Sequence, residues 1–206
     1  MNLLIIFAKN IKLGKVKTRL AKTIGGEGAF EVYKHLVEML ERTTSKITNC
    51  DIHIYFSDVI IEEKWPNQQK FVQKGDDLGE RMFNALKNGF DAGYSNVVGV
   101  GTDIPDLDEV IIQNGFDALQ KNDTVFGPAE DGGYYLIGMN QLLPFVFENK
   151  PWSTEGLLDL TIEEIEKKGF SCQKLVELND IDTVEDLKNS KIAGEFSHWI
   201  AGAIDR

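Results

Sequence analysis

Apolar positions along the 206-residue chain follow two periods that alternate almost without a break. LLIIFA (3–8), NVVGVG (96–101) and YYLIGM (134–139) are short continuous runs, the pattern of strands buried on both faces. DIHIYFS (51–57) alternates as a half-buried strand does, and FVQ (71–73), DTVFGPA (123–129) and residues 172–178 supply three further strands. Between them, Phe30, Val32, Tyr33, Leu36, Val37 and Leu40 recur at helical spacing within 28–46. Residues 78–90, 108–120 and 154–168 predict helices as well, and one or two more follow Thr183, a plausible N-cap.

Strand alternating with helix, with no repeat, low-complexity tract or linker, predicts an α/β protein. The expected form is a single domain over residues 1–206, a three-layer αβα sandwich around a mixed, mainly parallel sheet. Ligands of open α/β sheets bind just beyond the carboxyl ends of the strands. In this chain the segments after Ala8, Gly101, Ala129 and Leu178 are where Gly, Asp and Lys collect. Turns favour such residues without any ligand, yet four charged coincidences point to a shared site.

Composition narrows the ligand. The chain is 42% hydrophobic and 27% charged, which excludes a disordered or fibrous protein. Lys and Arg number 22 against 33 Asp and Glu, a formal charge of -11, and a surface so acidic repels nucleic acid and anionic lipid. An anionic ligand must therefore be held by a local cationic cluster. Cys50 and Cys172 lie far apart and His35, His53 and His198 are scattered, which suggests neither a disulfide framework nor a zinc site. The first apolar run is too short for a signal-peptide core and no stretch approaches membrane-spanning length. The expectation is a cytoplasmic protein without nucleic-acid or membrane partners.

One such cluster follows the first strand. Residues 9–22, KNIKLGKVKTRLAK, carry Lys9, Lys12, Lys15, Lys17, Arg19 and Lys22 with no acid before Glu27. Gly14 lets the backbone bend closely around a ligand, and a helix starting near Lys17 offers free amides to phosphate oxygens. Neither the P-loop spacing nor GxGxxG is present, so the expectation is a polyphosphate cradle of another kind. Lys15, Lys17 and Arg19 are its best candidates, while Lys12 and Lys22 suit solvent. The bland alternative is a solvated charged turn.

Opposing carboxylates stand at two other strand ends: Asp103 in GTDIPDL (101–107), and Asp180 and Asp182 in NDIDTVEDL (179–187). Mg²⁺ prefers one or two protein carboxylates completed by substrate phosphates, and Asp103 with Asp182 meets that demand. Helix capping is the competing role for Asp180 or Asp182, and a turn before Pro105 for Asp103. Asp106 and Asp108 suit the start of the next helix. In PAEDGGYYLIG (128–138), Asp131, Gly132 and Gly133 serve a hairpin turn and an approach to a ligand equally well. In GDDLGERM (75–82), Asp77, Gly79 and Arg81 read first as an ordinary capped helix start.

Taken in order, FAKNIKLGKVKTRL, GDDLGERM, GTDIPDL, PAEDGGYYLIG and NDIDTVEDL resemble the nucleotide-diphospho-sugar transferase superfamily, of GT-A-like fold. More narrowly, they resemble its radical-SAM/selenodomain-associated transferase branch, and the resemblance spans roughly Met1 to Lys188. It implies nucleotide binding in the N-terminal half and acceptor binding in the C-terminal half. Lys9, Gly14, Lys15, Lys17 and Arg19 would hold the nucleotide phosphates, and Asp77, Gly79 and Arg81 would line the base or ribose side. Asp103 would hold Mg²⁺ or Mn²⁺, with Asp182 as the second ligand, and Asp131, Gly132 and Gly133 would face the acceptor. One departure is Ile11, where the branch usually has proline.

The resemblance leaves two chemistries. A basic loop ending in TRL and a single strand-end aspartate before Ile-Pro resemble nucleotidyltransferases, in which an acceptor phosphate attacks the α-phosphorus of an NTP. Lys17, Arg19 and Asp103 would then be the catalytic groups. A glycosyltransferase moving a sugar from an NDP-sugar is the alternative, for which many relatives display a DxD pair. A third reading is a nucleotide-binding module without catalysis, against which the full set of cation and acid motifs argues.

Overall fold

The computed structural model describes residues 1–12, 14 and 16–204, with no side chain described at 203 and 204. Lys15, expected among the phosphate ligands, lies outside the described residues. Seven strands form one sheet: β1 (Asn2–Ala8), β2 (Asp51–Phe56), β3 (Gln69–Val72), β4 (Asn96–Gly101), β5 (Thr124–Pro128), β6 (Tyr134–Met139) and β7 (Cys172–Lys174). Their order is β3-β2-β1-β4-β6-β5-β7, parallel throughout except for β6, which runs antiparallel to both β4 and β5. This is the mixed, mainly parallel sheet that the alternating pattern predicts.

Helices cover both faces. Against one lie α1 (Thr18–Thr44) and α3 (Glu109–Ala118), where Tyr33, Val37, Ile112 and Phe116 pack on Leu4, Ile6, Val98 and Val100. Against the other lie α2 (Leu78–Asp91) and α4 (Leu157–Lys167), where Met82, Leu86, Leu158 and Ile165 meet Leu3, Ile5, Phe126 and Ile137. Neighbouring residues of one strand serve opposite faces, which is why these strands read as unbroken apolar runs. A third cluster joins Leu20, Ile24 and Leu36 of α1 to Ile181, Leu187, Ile192 and Phe196. These last come from the C-terminal segment that carries α5 (Val184–Asn189) and α6 (Ser197–Ile204). Among the described residues no helix is long and apolar enough to cross a membrane.

Two boundaries differ from the sequence pattern. α1 begins at Thr18, ten residues before its clear periodicity, because a short helical segment joins the main helix across Gly25, whose φ of 84° interrupts the helix. β7 ends at Lys174 rather than residue 178, and Leu178 rejoins the sheet only through an isolated bridge to Ala129.

The strand order fixes the site. From β1 the chain proceeds outward through β2 to β3, then crosses to the other side of β1 to lay down β4. The carboxyl ends of β1 and β4 therefore diverge into a crevice, the place where doubly wound sheets bind ligands. Because β6 is antiparallel, its amino end and the loop before it arrive at that same edge.

Candidate functional site

Lys9 leaves β1 and Asp103 leaves β4 on either side of the crevice, and the buried Tyr33 of α1 ties the two strand ends together. Its hydroxyl accepts from the Lys9 amide at 2.9 Å, lies 3.1 Å from the Lys9 carbonyl, and meets Thr102 Oγ1 at 2.9 Å. Asn10, buried, fastens the start of the cation loop: its Oδ1 accepts from the Asp58 and Val59 amides while its Nδ2 donates to the Val59 carbonyl. Neither residue stood out in the sequence, since Tyr33 reads as core and Asn10 as turn.

The loop 180–182 is set beside Asp103 by the backbone, the Ile181 amide donating to the Asp103 carbonyl at 3.2 Å. Asp103, Asp180 and Asp182 each offer a carboxylate oxygen within 4.8 Å of the others. Neither Asp180 nor Asp182 caps α5. That task falls to Thr183 and Asp186, which form a reciprocal capping box. Asp108 caps α3 through the Ile111 amide, and Asp106 pairs with Lys191.

Lys17 enters this carboxylate group directly. It precedes α1 with a left-handed backbone (φ 48°), and its side chain is only 2% exposed. Its Nζ lies 2.8 Å from Asp103 Oδ2 and 3.1 Å from Asp182 Oδ1. Arg19, largely exposed, reaches Asp182 Oδ2 at 3.3 Å, and Lys9 stands 3.9 Å from Asp103. Burial alone would lower the Lys17 pKa, but Asp103 and Asp182 outweigh it and the pKa is raised. Burial likewise pushes Asp103 up, and Lys17 and Lys9 overturn that and hold it below the usual carboxylate range. Asp180 is different: burial, with Asp182, Asp131 and Asp103 nearby, pushes its carboxyl up to about 6 despite Lys17.

An all-carboxylate, partly shielded donor set of three is what a hard divalent cation takes, and Asp180 is pushed up chiefly by its burial, with the acids around it adding to that against Lys17. The residues present could hold a metal ion.

A cavity of about 320 Å³ opens beside these groups. It is lined by Lys9, Thr102, Asp103 and Asp180, by Phe7, Gln73, Leu78 and Met82, and by Asp131, Gly133, Tyr134, Trp152 and Leu157. The 129–133 loop is a hairpin between β5 and β6, and it also borders the cavity. Asp131 Oδ1 accepts from the Gly133 amide, and Gly132 (φ 83°) lets the loop lie against residue 155. From GDDLGERM, Leu78 and Met82 face the cavity. Asp77 caps α2 through the Glu80 amide, Arg81 Nε donates to the Gly75 carbonyl, and Gly79 packs under Trp152. Gly14 adopts a positive φ of 74° in the cation loop. Trp152 lies in a segment without helical or strand periodicity, so its place in the cavity had no signal in the pattern.

A family model described as "Uncharacterized protein conserved in bacteria (DUF2064)" matches residues 44–154. No curated protein matches the chain in sequence. Among solved structures, a proposed nucleotide-diphospho-sugar transferase from Desulfovibrio desulfuricans G20 is 31% identical with a TM-score of 0.89, covering 98% of this chain and 97% of that one. The 4-diphosphocytidyl-2C-methyl-D-erythritol synthase of Anaerococcus prevotii DSM 20548 has a TM-score of 0.62 at 15% identity, covering 95% and 98%. The inositol-1-phosphate CTP transferase of T. maritima has a TM-score of 0.58 at 11% identity, covering 97% and 96%; these last two likenesses show the fold. The family match and the 31% identity over nearly the full length place this chain in the DUF2064 family, within the nucleotide-diphospho-sugar transferase superfamily.

Proposed function

We propose that the protein is a metal-dependent transferase that uses a nucleotide substrate, and that it transfers a nucleotidyl group from an NTP to a small-molecule acceptor. One observation carries this reading: Asp103, Asp180 and Asp182 converge with Lys9, Lys17 and Arg19 at the crevice between β1 and β4. Cations there suit a polyphosphate, and acids suit the divalent ion that accompanies one. The fold of nucleotidyltransferases such as the two structures above supports it.

In this reading Asp103 and Asp182, with Asp180 beside them, hold Mg²⁺ or Mn²⁺. The ion would neutralise charge developing on the phosphoryl oxygens and the leaving diphosphate. Lys9, Lys17 and Arg19 grip the nucleotide phosphates, joined by Gly14 where the backbone bends close. Little covalent chemistry is asked of the protein; positioning and charge do most of it. The side of the cavity formed by Leu78 and Met82 takes the base or ribose, with Asp77, Gly79 and Arg81 supporting it from behind. Asp131 and the glycines after it orient the acceptor.

The second reading, glycosyl transfer from an NDP-sugar, is favoured by one specific observation. The acceptor side of the cavity, from Asp131 to Leu157, is lined by no Lys or Arg among the described residues, although the expected acceptor phosphate calls for one. Incubation with Mg²⁺, each NTP and candidate acceptors separates the two. Pyrophosphate release supports nucleotidyl transfer, whereas silence together with turnover of an NDP-sugar moves the assignment to glycosyl transfer. Absence of both, with nucleotide binding retained, would reduce the protein to a binding module.

A further inference from the structure

Lys17 sits among the carboxylates that the proposed reaction assigns to a divalent ion. Its Nζ is 2.8 Å from Asp103 Oδ2 and 3.1 Å from Asp182 Oδ1, and its side chain is 2% exposed. The remaining oxygens of these two acids are engaged as well. Asp103 Oδ1 accepts from Thr102 Oγ1 at 3.3 Å, and Asp182 Oδ2 accepts from Arg19 Nη1 at 3.3 Å. Every carboxylate oxygen of the pair thus has a donor from the chain itself. Two carboxylates facing the full charges of Lys17 and Arg19 leave little net charge to draw a divalent ion. An ion arriving at Asp103 Oδ2 or Asp182 Oδ1 would meet the ammonium as a like charge at close range, where burial weakens screening.

The surroundings impose this placement. Lys17 holds a left-handed backbone (φ 48°, ψ 49°), which a non-glycine residue keeps only where its neighbours enforce it. Just after it, Leu20 and Ile24 pack with Ile181 and Leu187, so the start of α1 and the segment bearing Asp182 share one apolar cluster. The cavity beside the acids is lined by Lys9, Asp103 and Asp180, and Lys17 is not among its lining residues. To reach a phosphate there the ammonium has to leave the acids. Its flexible four-carbon stem allows that without disturbing the apolar cluster.

We propose that Lys17 is an internal cation that bars a divalent ion from Asp103 and Asp182 until nucleotide phosphates draw the ammonium away, a proposal that rests on the nucleotide-transferase reading of the site. The ion then enters with or after the nucleotide and not before it. Lys17 serves first as counter-ion to the acids and then as counter-ion to the phosphates, which keeps charge at the site near balance in both arrangements. What Lys17 costs the ion alone in affinity, bound nucleotide returns.

The ion alone is the decisive probe, because nucleotides carry divalent ions in solution and synergy between the two would arise without Lys17. Mn²⁺ is titrated by calorimetry and electron paramagnetic resonance into the full chain, without nucleotide, as wild type, Lys17→Met and Lys9→Met. Lys17→Met should bind Mn²⁺ at least about tenfold more tightly than wild type. Lys9→Met removes the same charge from an exposed side chain 3.9 Å from Asp103, and should gain no more than about twofold. Adding Asp103→Asn to Lys17→Met should abolish the gain. Affinity for non-hydrolysable analogues of the common NTPs, titrated in turn, should move the other way and fall in Lys17→Met. In the wild type, the nitrogen resonance of the Lys17 ammonium, assigned through its own side-chain carbons, should hold with Mg²⁺ alone and shift with Mg²⁺ and a bound analogue. No gain in Lys17→Met, an equal gain in Lys9→Met, a gain that survives Asp103→Asn, or a Lys17 resonance unmoved by a bound analogue would overturn the proposal. If Lys17→Met fails to fold, the wild-type resonance decides. A wild type that binds none of the analogues, with or without Mg²⁺, would instead overturn the transferase reading.

Discussion

The ammonium of Lys17 stands 2.8 Å from the carboxylate of Asp103, joining the start of α1 to the end of β4 inside the site. A backbone in the left-handed region places it there, and Asp182 closes on it from the other side. Three cationic side chains thus face three carboxylates, with Lys17 the one withdrawn from solvent. This ion pair ties the start of α1 to the end of β4.

Replacing Lys17 by Met should therefore damage stability as well as binding. Removing one partner of a buried pair leaves the other uncompensated; with Asp103 partly open to solvent, roughly 2–3 kcal/mol is expected. Asp103 is depressed in the fold, so its share is present above the ordinary carboxylate value of 3.8 and fades as pH falls through the lower folded value. Lys17 is raised, so its share is present below 10.5 and fades as pH rises through the higher folded value. Urea denaturation of wild type and Lys17→Met should differ most between those limits and converge in strong acid. A constant difference down to pH 2 would rule out the pair as its source.

Asp180 carries the opposite sign. Its carboxyl is pushed up to about 6 in the fold, so ionising it costs the native state stability at pH 7 and above. The cost disappears as pH falls from 6 towards 3.8, where folded and unfolded chains are both protonated. Asp180→Asn should raise the melting temperature at pH 8 and leave it unchanged at pH 3. Mg²⁺ added with nucleotide should lift the wild type more than the variant, since the ion relieves the repulsion that the amide has already removed. Equal shifts would place the ion away from Asp180.

Asp103→Asn tests the reaction itself. The substitution keeps shape and the chain's fold but removes the charge that faces both the ion and Lys17. Product formation, read as pyrophosphate or NDP release, should fall at least about 10²-fold, the scale of losing one preorganised charge at a transition state. Circular dichroism should stay native. Activity near wild type would remove Asp103 from the metal site.

Much of this arrangement was legible in the chain. Continuous apolar runs gave the strands, and the charge of Lys9, Lys17, Arg19, Asp103 and Asp182 announced itself because each follows a strand in an otherwise acidic protein. The sequence pattern could not tell that Lys17 sits on the acids themselves, since charge and spacing carry no left-handed turn for a lysine. Nor did it separate Leu78 and Met82, which face the cavity, from Asp77 and Arg81, which hold the helix start. Those four lie within one turn and a half, and only the packing of α2 on the sheet decides which side chains point inward. Trp152 was silent for a related reason: its position depends on Gly79, seventy-three residues away in the chain.

Gly79 makes that dependence testable. A Cβ there would lie 2.6 Å from the Phe147 carbonyl and 2.7 Å from the Trp152 ring, so Gly79→Ala must push either the start of α2 or the 147–152 segment outward. Helix propensity by itself favours alanine by about 1 kcal/mol, yet overpacking against backbone costs roughly 1–3 kcal/mol. The net effect should be a lower melting temperature and, with Trp152 displaced, weaker binding of the second substrate. Gly26→Ala is the control, because a Cβ there meets nothing within 4 Å and no positive φ opposes it. That variant should be neutral or stabilising. If both substitutions behave alike in calorimetry and acceptor titration, Trp152 is not held by Gly79, and the wall of the cavity owes its position to something else.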